Sequence, residues 1–433
     1  MQAPTEQHSP FAAAFGKWQS LRKAPSWVAE LQRQSFDAYR TNGLPTRKNE
    51  AWKYVSLRTL NEVEFGLAPV LLDIVDLKSE LSKFLRPEYY NLVFVNGHLA
   101  PELSDAINLA GLTVAPLAEA LESEAAMLKP WFERSLARSD VFTQLNTAFL
   151  GTGVLVKIAA NTVLPKALHL VHVSTAEANL SQTAPRHLLR VGERAELSLI
   201  ETHVTLGRET KVLTNSLLEA CVEAGAKLKL ARIDYQGAAA LHIGRGHVEL
   251  GASATLESFC FSTGGKLSRY DLDVYLAGEG AEAELNGLYL TKAGQVIDHH
   301  TTIHHQVPHA VSRQLYKGIL DGDSRAVFNG KVVVSRDAQS TSAQQLNRNL
   351  LLSDDAEIDT KPELLIDADD VKCAHGASIG QLTDDQIFYL RSRGLGLEES
   401  RRLLTMGFAD EVLYKAPAVR EWLRPLIVEE YFA

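Results

Sequence analysis

Ala195-Glu196-Leu197-Ser198-Leu199 and Ala226-Lys227-Leu228-Lys229-Leu230 decide the fold class. In both, apolar residues alternate with polar ones, the period of two that sends every second side chain to one buried face of a strand. Each stretch follows a turn-forming cluster, Gly192-Glu193-Arg194 in the first and Ala224-Gly225 in the second. The same signature recurs at Gly251-Ala252-Ser253-Ala254, Gly278-Glu279-Gly280-Ala281, Gly322-Asp323-Ser324-Arg325-Ala326 and Asp354-Asp355-Ala356. Counted between the alanines, the intervals are 31, 28, 27, 45 and 30 residues. A repeating unit of this size, a turn and then a strand, is the trace of a solenoid or β-helix. Spacing alone leaves an antiparallel sandwich open, because each unit has room for two or more strands.

Outward from this core the pattern changes. Residues 1–150 read as a mostly helical domain: Val28, Leu31 and Phe36 follow Ser26 at roughly helical spacing, and Ser139 to Leu150 is again helical. One strand interrupts it, Asn91-Leu92-Val93-Phe94-Val95, ended by the turn pair Asn96-Gly97. Residues 151–370 form the β core. After Asp370 the alternation stops, and 371–433 reads as a carboxy-terminal helical domain with Thr383 as a cap. There Leu404, Phe408 and Val412 fall four apart, and Val419, Trp422, Leu423 and Leu426 at i, i+3, i+4 and i+7; Pro425 kinks the last helix. These helices either cap the solenoid's open core or dock on a partner. The expected fold is mainly β, a parallel β-helix between helical domains.

Composition narrows the function. The 433 residues carry 44 Lys and Arg against 53 Asp and Glu, a net charge of −9, which argues against nucleic-acid binding. No apolar run reaches the ~20 residues of a membrane span. Met1 to Pro10 has no apolar core and does not read as a signal peptide. Three scattered cysteines, Cys221, Cys260 and Cys373, suit a reducing cytoplasm rather than a disulfide framework. Gly264-Gly265-Lys266-Leu267 lacks the rest of a phosphate-binding loop, and no nucleophile elbow, zinc-protease motif or Cys-x-x-Cys is present. The chain therefore does not read as an enzyme.

Two stretches carry metal-ligand residue types. In Asp298-His299-His300-Thr301-Thr302-Ile303-His304-His305-Gln306-Val307-Pro308-His309, a strand would put His300, Thr302 and His304 on one face and His299, Thr301, Ile303 and His305 on the other. Imidazoles four residues apart on a strand are ~13 Å apart, too far for one metal, so a hydrogen-bonded polar ladder inside the β-helix competes with metal binding. In Asp369-Asp370-Val371-Lys372-Cys373-Ala374-His375-Gly376, an extended chain projects Cys373 and His375 to the same face. Thiolate and imidazole suit iron, zinc or sulfur chemistry, Lys372 would lower the thiol pKa, and ordinary packing is the alternative. A cluster wants four thiolates, so three scattered cysteines require ligands from a second subunit.

Arg47-Lys48-Asn49-Glu50-Ala51-Trp52-Lys53-Tyr54, Tyr316-Lys317-Gly318-Ile319-Leu320-Asp321-Gly322, Phe328-Asn329-Gly330-Lys331 and Ala338-Gln339-Ser340-Thr341 then add a resemblance. So do Ala356 to Leu364, Asp369 to Ala377 and Phe388-Tyr389-Leu390-Arg391-Ser392-Arg393-Gly394. Together these strings resemble the SufB/SufD family of the SUF iron–sulfur assembly machinery. The match is dense from Leu285 to Ala409, and the Glu50–Tyr54 signature with the low cysteine count favours the SufD branch.

The resemblance implies a right-handed parallel β-helix and a non-catalytic scaffold that pairs with a SufB-like subunit. It implies a SufC-like ATPase docked on the carboxy-terminal helices, here at Leu404, Phe408 and Val412, with ATP hydrolysis residing in that partner. It places a transient iron–sulfur cluster at the junction, with Cys373 and His375 as metal ligands shared with the SufB-like subunit. The edge expected to pair is Lys331–Leu352, rich in Val332, Val333 and Val334. Reduced flavin is associated with such complexes, but no dinucleotide fingerprint supports it here. A polysaccharide-active β-helix enzyme would need a carboxylate pair in a groove, and a stand-alone metal protein would rely on His299–His309.

Overall fold

In the computed structural model of this chain the described residues are 9–71, 74 and 77–432; of the segment read for a leader, residues 1–8 lie outside them. The chain is mainly β, 41% strand against 27% helix, and its core is a parallel β-solenoid of about 8 turns. Successive strands alternate between two sheets, so each pairs in parallel with the strand two places on. One sheet runs through Glu196–Thr205, Lys227–Gln236, Thr255–Gly264, Glu282–Thr291, Val311–Leu320, Thr341–Leu351 and Val371–Gln381. The other runs through Val212–Val222, Leu241–Leu250, Leu267–Leu276, Val296–His305, Arg325–Val334 and Glu357–Ile366. Among the described strands, antiparallel pairing is confined to Tyr90–Val95 with His98–Leu99 and Leu112–Pro116 with Val154–Ile158, so the sandwich is excluded.

The backbone explains the alanine marker. At Arg194, Gly225, Ser253, Gly280, His309 and Ser340 the chain enters the left-handed region, with φ from 54 to 71°. After the first five comes an alanine (Ala195, Ala226, Ala254, Ala281 and Ala310), each buried at the inside of the bend where a larger side chain has no room. The 45-residue interval in the sequence arises because it passes over Ala310 and lands on Ala326, which belongs to the opposite sheet, as does the turn at Ala356.

Between the sheets, one side of the interior is apolar: Leu197, Leu199, Leu228, Leu230 and Leu256 pack with Ala220, Val222, Val248, Leu250 and Val274. The other side is polar and equally buried, with Glu201, His203, Arg232, Asp234, His242 and His299. Glycines make space for the large rings there. A Cβ on Gly287 would sit 2.3 Å from the Tyr316 ring, and one on Gly318 would sit 2.2 Å from the Tyr289 ring.

The flanking segments are stitched onto the solenoid. The strand Tyr90–Val95 extends a solenoid sheet by pairing with Leu168–Ser174. The hairpin turn after it uses Asn96 and Gly97 at φ 51 and 82°. Strand structure also continues one strand beyond Asp370, as Val371–Gln381. This strand was silent in the sequence because both of its faces are largely open to solvent, which removes the alternation.

Helices Asp384–Arg391, Leu397–Leu413 and Pro417–Phe432 follow, the first closed by a capping box between Thr383 and Gln386. The last two lie on the outer face of a sheet, with Val412, Val419, Trp422 and Leu423 packed against Ile200, Val204, Phe259 and Leu288, and do not plug the open end. Trp422 Nε1 donates to the Lys83 carbonyl at 3.0 Å. No helix among the described residues is long and apolar enough to cross a membrane.

The polar interior makes stability pH-dependent. Burial holds His169 down at about 3, and His299 and His305 at about 4, so all three fold as neutral imidazoles. The unfolded chain, with imidazoles near 6.5, binds more protons below that pH. Stability from these groups is therefore complete above pH ~6.5 and is lost as pH falls toward 4, each contributing up to about 1.4 kcal/mol per pH unit. His247, pushed up by Asp273 and Glu219 against the cost of burial, contributes the opposite sign above its unfolded pKa. Urea midpoints are expected to drop clearly between pH 7 and pH 5, and His299→Gln to flatten that slope; equal midpoints at the two pH values would contradict the assignment.

Candidate functional site

The sequence-derived pair sits on the last rung. Val371–Gln381 pairs only with Thr341–Leu351, and Glu357–Ile366 only with Arg325–Val334; among the described residues nothing pairs with their outer edges. The expected docking edge, Lys331–Leu352, is thus not an edge, because both of its strands are flanked on each side. The open backbone groups belong to the strands after it.

Cys373 stands opposite Ala343, and His375 opposite Gln345. Strand alternation turns both toward the interior face at the mouth of the solenoid. Cys373 is half-buried beside Val332, Val334 and Ala343, whereas His375 is exposed. Burial pushes the Cys373 thiol up, opposed by a backbone hydrogen bond at Ala343. Lys372, expected to lower that pKa, points to the opposite, exposed face and does not act on it. Behind His375 the buried Gln345 amide has no partner for either of its polar atoms, so the core ends in unsatisfied polarity. Two ligand-bearing side chains are too few to enclose a cluster by themselves.

The Glu50–Tyr54 signature docks near the same end. Trp52 lies under the Arg269 guanidinium at 3.9 Å, the Ala51 carbonyl accepts from Arg269 at 2.6 Å, and Glu50 meets Lys361 of the last rung at 2.7 Å. Of the expected docking stripe, Leu404 and Phe408 are half-buried. Val412 is buried against the sheet, and the Phe408 carbonyl accepts from the buried Lys317 at 2.8 Å, with the same ammonium over the Phe408 ring at 4.0 Å. Exposed apolar area on these helices lies instead at Phe388, 73% exposed, and at Tyr389, Leu397 and Leu403.

His299–His309 behaves as the polar ladder. His299 and His305 point inward, bonded to Ser262 at 3.0 Å and Ser312 at 2.9 Å. His304 stacks on Tyr275 with centroids 4.5 Å apart. Groupings able to hold a metal, among the described residues, use other histidines: His172 with Glu201 and His203, and His203 with Asp234 and His242.

This second cluster was missed in the sequence. Its signal was there, since Glu201 and His203, and then Arg232 and Asp234, continue the buried phase of Leu197-x-Leu199 and Leu228-x-Leu230. Burial works against ionisation of Glu201 and Asp234, but the adjacent Arg232 holds both carboxyls well below the usual range.

The family models agree with this architecture. The SufBD core domain of SUF-system FeS cluster assembly matches residues 172–408, and the SufBD protein N-terminal region matches 17–170. An iron–sulfur cluster assembly SufBD family protein of Synechocystis is 34% identical over 86% of this chain and 84% of its own. The iron–sulfur cluster assembly protein SufD of Escherichia coli is 32% identical over 92% of each. The chloroplastic protein ABCI7 of Arabidopsis thaliana is 30% identical over 92% of this chain and 85% of its own. A solenoid matched through its core and flanked by the matching amino-terminal region leaves one assignment: the chain belongs to the SufBD family of iron–sulfur cluster assembly proteins.

Proposed function

We propose that this chain is a non-catalytic scaffold that completes its last rung with a SufB-like subunit and contributes Cys373 and His375 to a nascent iron–sulfur cluster at that junction. The open rung carries the reading. Two parallel strands whose outer edges have no partner among the described residues, ending a core whose Gln345 is unsatisfied, form a template for strand addition from another chain. Leu365 and Ile379, 53% and 51% exposed, supply apolar area on those strands. Thiolate and imidazole are ligand types that iron accepts, and the partner supplies the remainder. The cluster is cargo, built there and passed on.

Reconstitution on the purified complex tests the pair. His375→Ala and Cys373→Ser should each lower cluster yield several-fold while gel filtration shows the complex intact. Normal yield from both intact complexes would overturn the assignment.

A SufC-like ATPase, in this proposal, docks on the carboxy-terminal helices through the exposed Phe388, Tyr389, Leu397 and Leu403, since Val412 is committed to the chain's own sheet. The double variant Phe388→Asp, Leu403→Asp should weaken ATPase capture about tenfold or more without changing the circular dichroism spectrum, because fully buried apolar contacts carry most of such interfaces. Undiminished capture would contradict this face.

A further inference from the structure

We infer that the interior cluster around His203 is a binding site for one divalent first-row metal ion, separate from Cys373 and His375. Two overlapping groupings of metal-ligand residues, drawn from four strands, share His203: His172 with Glu201 and His203, and His203 with Asp234 and His242. All are buried. The His172 and His203 rings stack with centroids 4.6 Å apart, and the His203 and His242 rings meet edge-on at 4.5 Å. Each three-residue grouping holds its ligand atoms within 4.8 Å of one another.

The hydrogen bonds point the same way. His203 Nε2 donates to Glu201 Oε1 at 2.9 Å, which fixes the proton on Nε2 and leaves Nδ1 as a bare acceptor with no partner. A carboxylate that orients an imidazole through its distal nitrogen is the usual support behind a metal-binding histidine. His172 Nε2 shares a proton with His187 Nε2 at 2.8 Å, and its Nδ1 is also without a partner. Unpaired polar atoms this deep are costly, and a ligand removes the cost.

Arg232 takes one oxygen from each carboxylate, Glu201 Oε2 at 2.6 Å and Asp234 Oδ2 at 3.3 Å, so the other oxygen of each faces the imidazoles of His203 and His242. The donor set is nitrogen and oxygen only: the nearby Cys260 thiol is pushed far up by burial and stays neutral. Imidazole and carboxylate in that mixture suit zinc, ferrous iron or cobalt. Gly97 and Thr183 wall both the small cavity at His172 and His203 and a cleft of about 410 Å³ beside Trp18 and Arg22.

The test is titration of the chelator-treated full-length chain with cobalt(II). One equivalent should bind with visible ligand-field bands and no thiolate-to-cobalt charge transfer. Cys373→Ser and His375→Ala should leave this unchanged, and His203→Gln should abolish it. X-ray absorption at the cobalt edge of the unmutated chain gives a second reading that needs no variant, with imidazole scattering and no sulfur expected. Absence of binding, binding that survives His203→Gln, a sulfur ligand, or a shell of water alone would overturn the inference. Because the Cys373 and His375 variants are read separately, failure here leaves the scaffold reading standing.

Discussion

The structure depends on the parallel ladder that runs from rung to rung. Every strand from Glu196 onward takes its register from the strand two places earlier, residue on residue for about ten positions. Between the first of these rungs Leu228 therefore stacks on Leu197, Leu230 on Leu199 and Arg232 on Glu201. Such a ladder satisfies backbone groups everywhere except at its end, where a strand has a donor and acceptor row and nothing to give it to. The last rung is that end, and it is where the Cys373 and His375 side chains emerge.

The same stacking explains why so much polarity survives inside the solenoid. A lone Arg232 between the sheets would be prohibitive; placed one register step from Glu201 and two residues from Asp234, it finds both carboxylates within hydrogen-bond reach. On the outer face the pattern repeats, with Arg269 between Asp271 and Asp298 at 2.7 and 2.6 Å and Trp52 beneath it. The amino-terminal segment is thereby fastened to the solenoid by charge as well as by apolar packing. Removing one member of such a group leaves the others buried and unpaired, so these columns tolerate change poorly.

Much of this was legible in the sequence, for reasons that particular residues make clear. Leu197 and Leu199 announce a strand because their neighbours are solvated; Ala195 and Ala226 mark the bend because only a small side chain fits inside it. Glu201 and His203 lie in the same buried phase but read as the end of alternation, since polarity there is paid for by partners thirty residues away. Val371–Gln381 gave no alternation because both of its faces are largely open to solvent. Leu404, Phe408 and Val412 are amphipathic at helical spacing, and periodicity cannot say whether the apolar face meets another molecule or the chain's own sheet. Cys373 and His375 were found by residue type and spacing, while their position at an open edge is a property of the whole ladder.

Hydrogen exchange on the outward-facing amides of Glu357–Ile366 and Val371–Gln381 tests the central claim, that this rung is left for another subunit to complete. These amides should exchange rapidly in the isolated chain and become protected by at least about a hundredfold in the complex with a SufB-like subunit, as paired strand amides are. The inner strands Glu282–Thr291 and Val296–His305 should be protected in both. Strong protection of the last rung in the isolated chain, or none gained in the complex, would contradict the account.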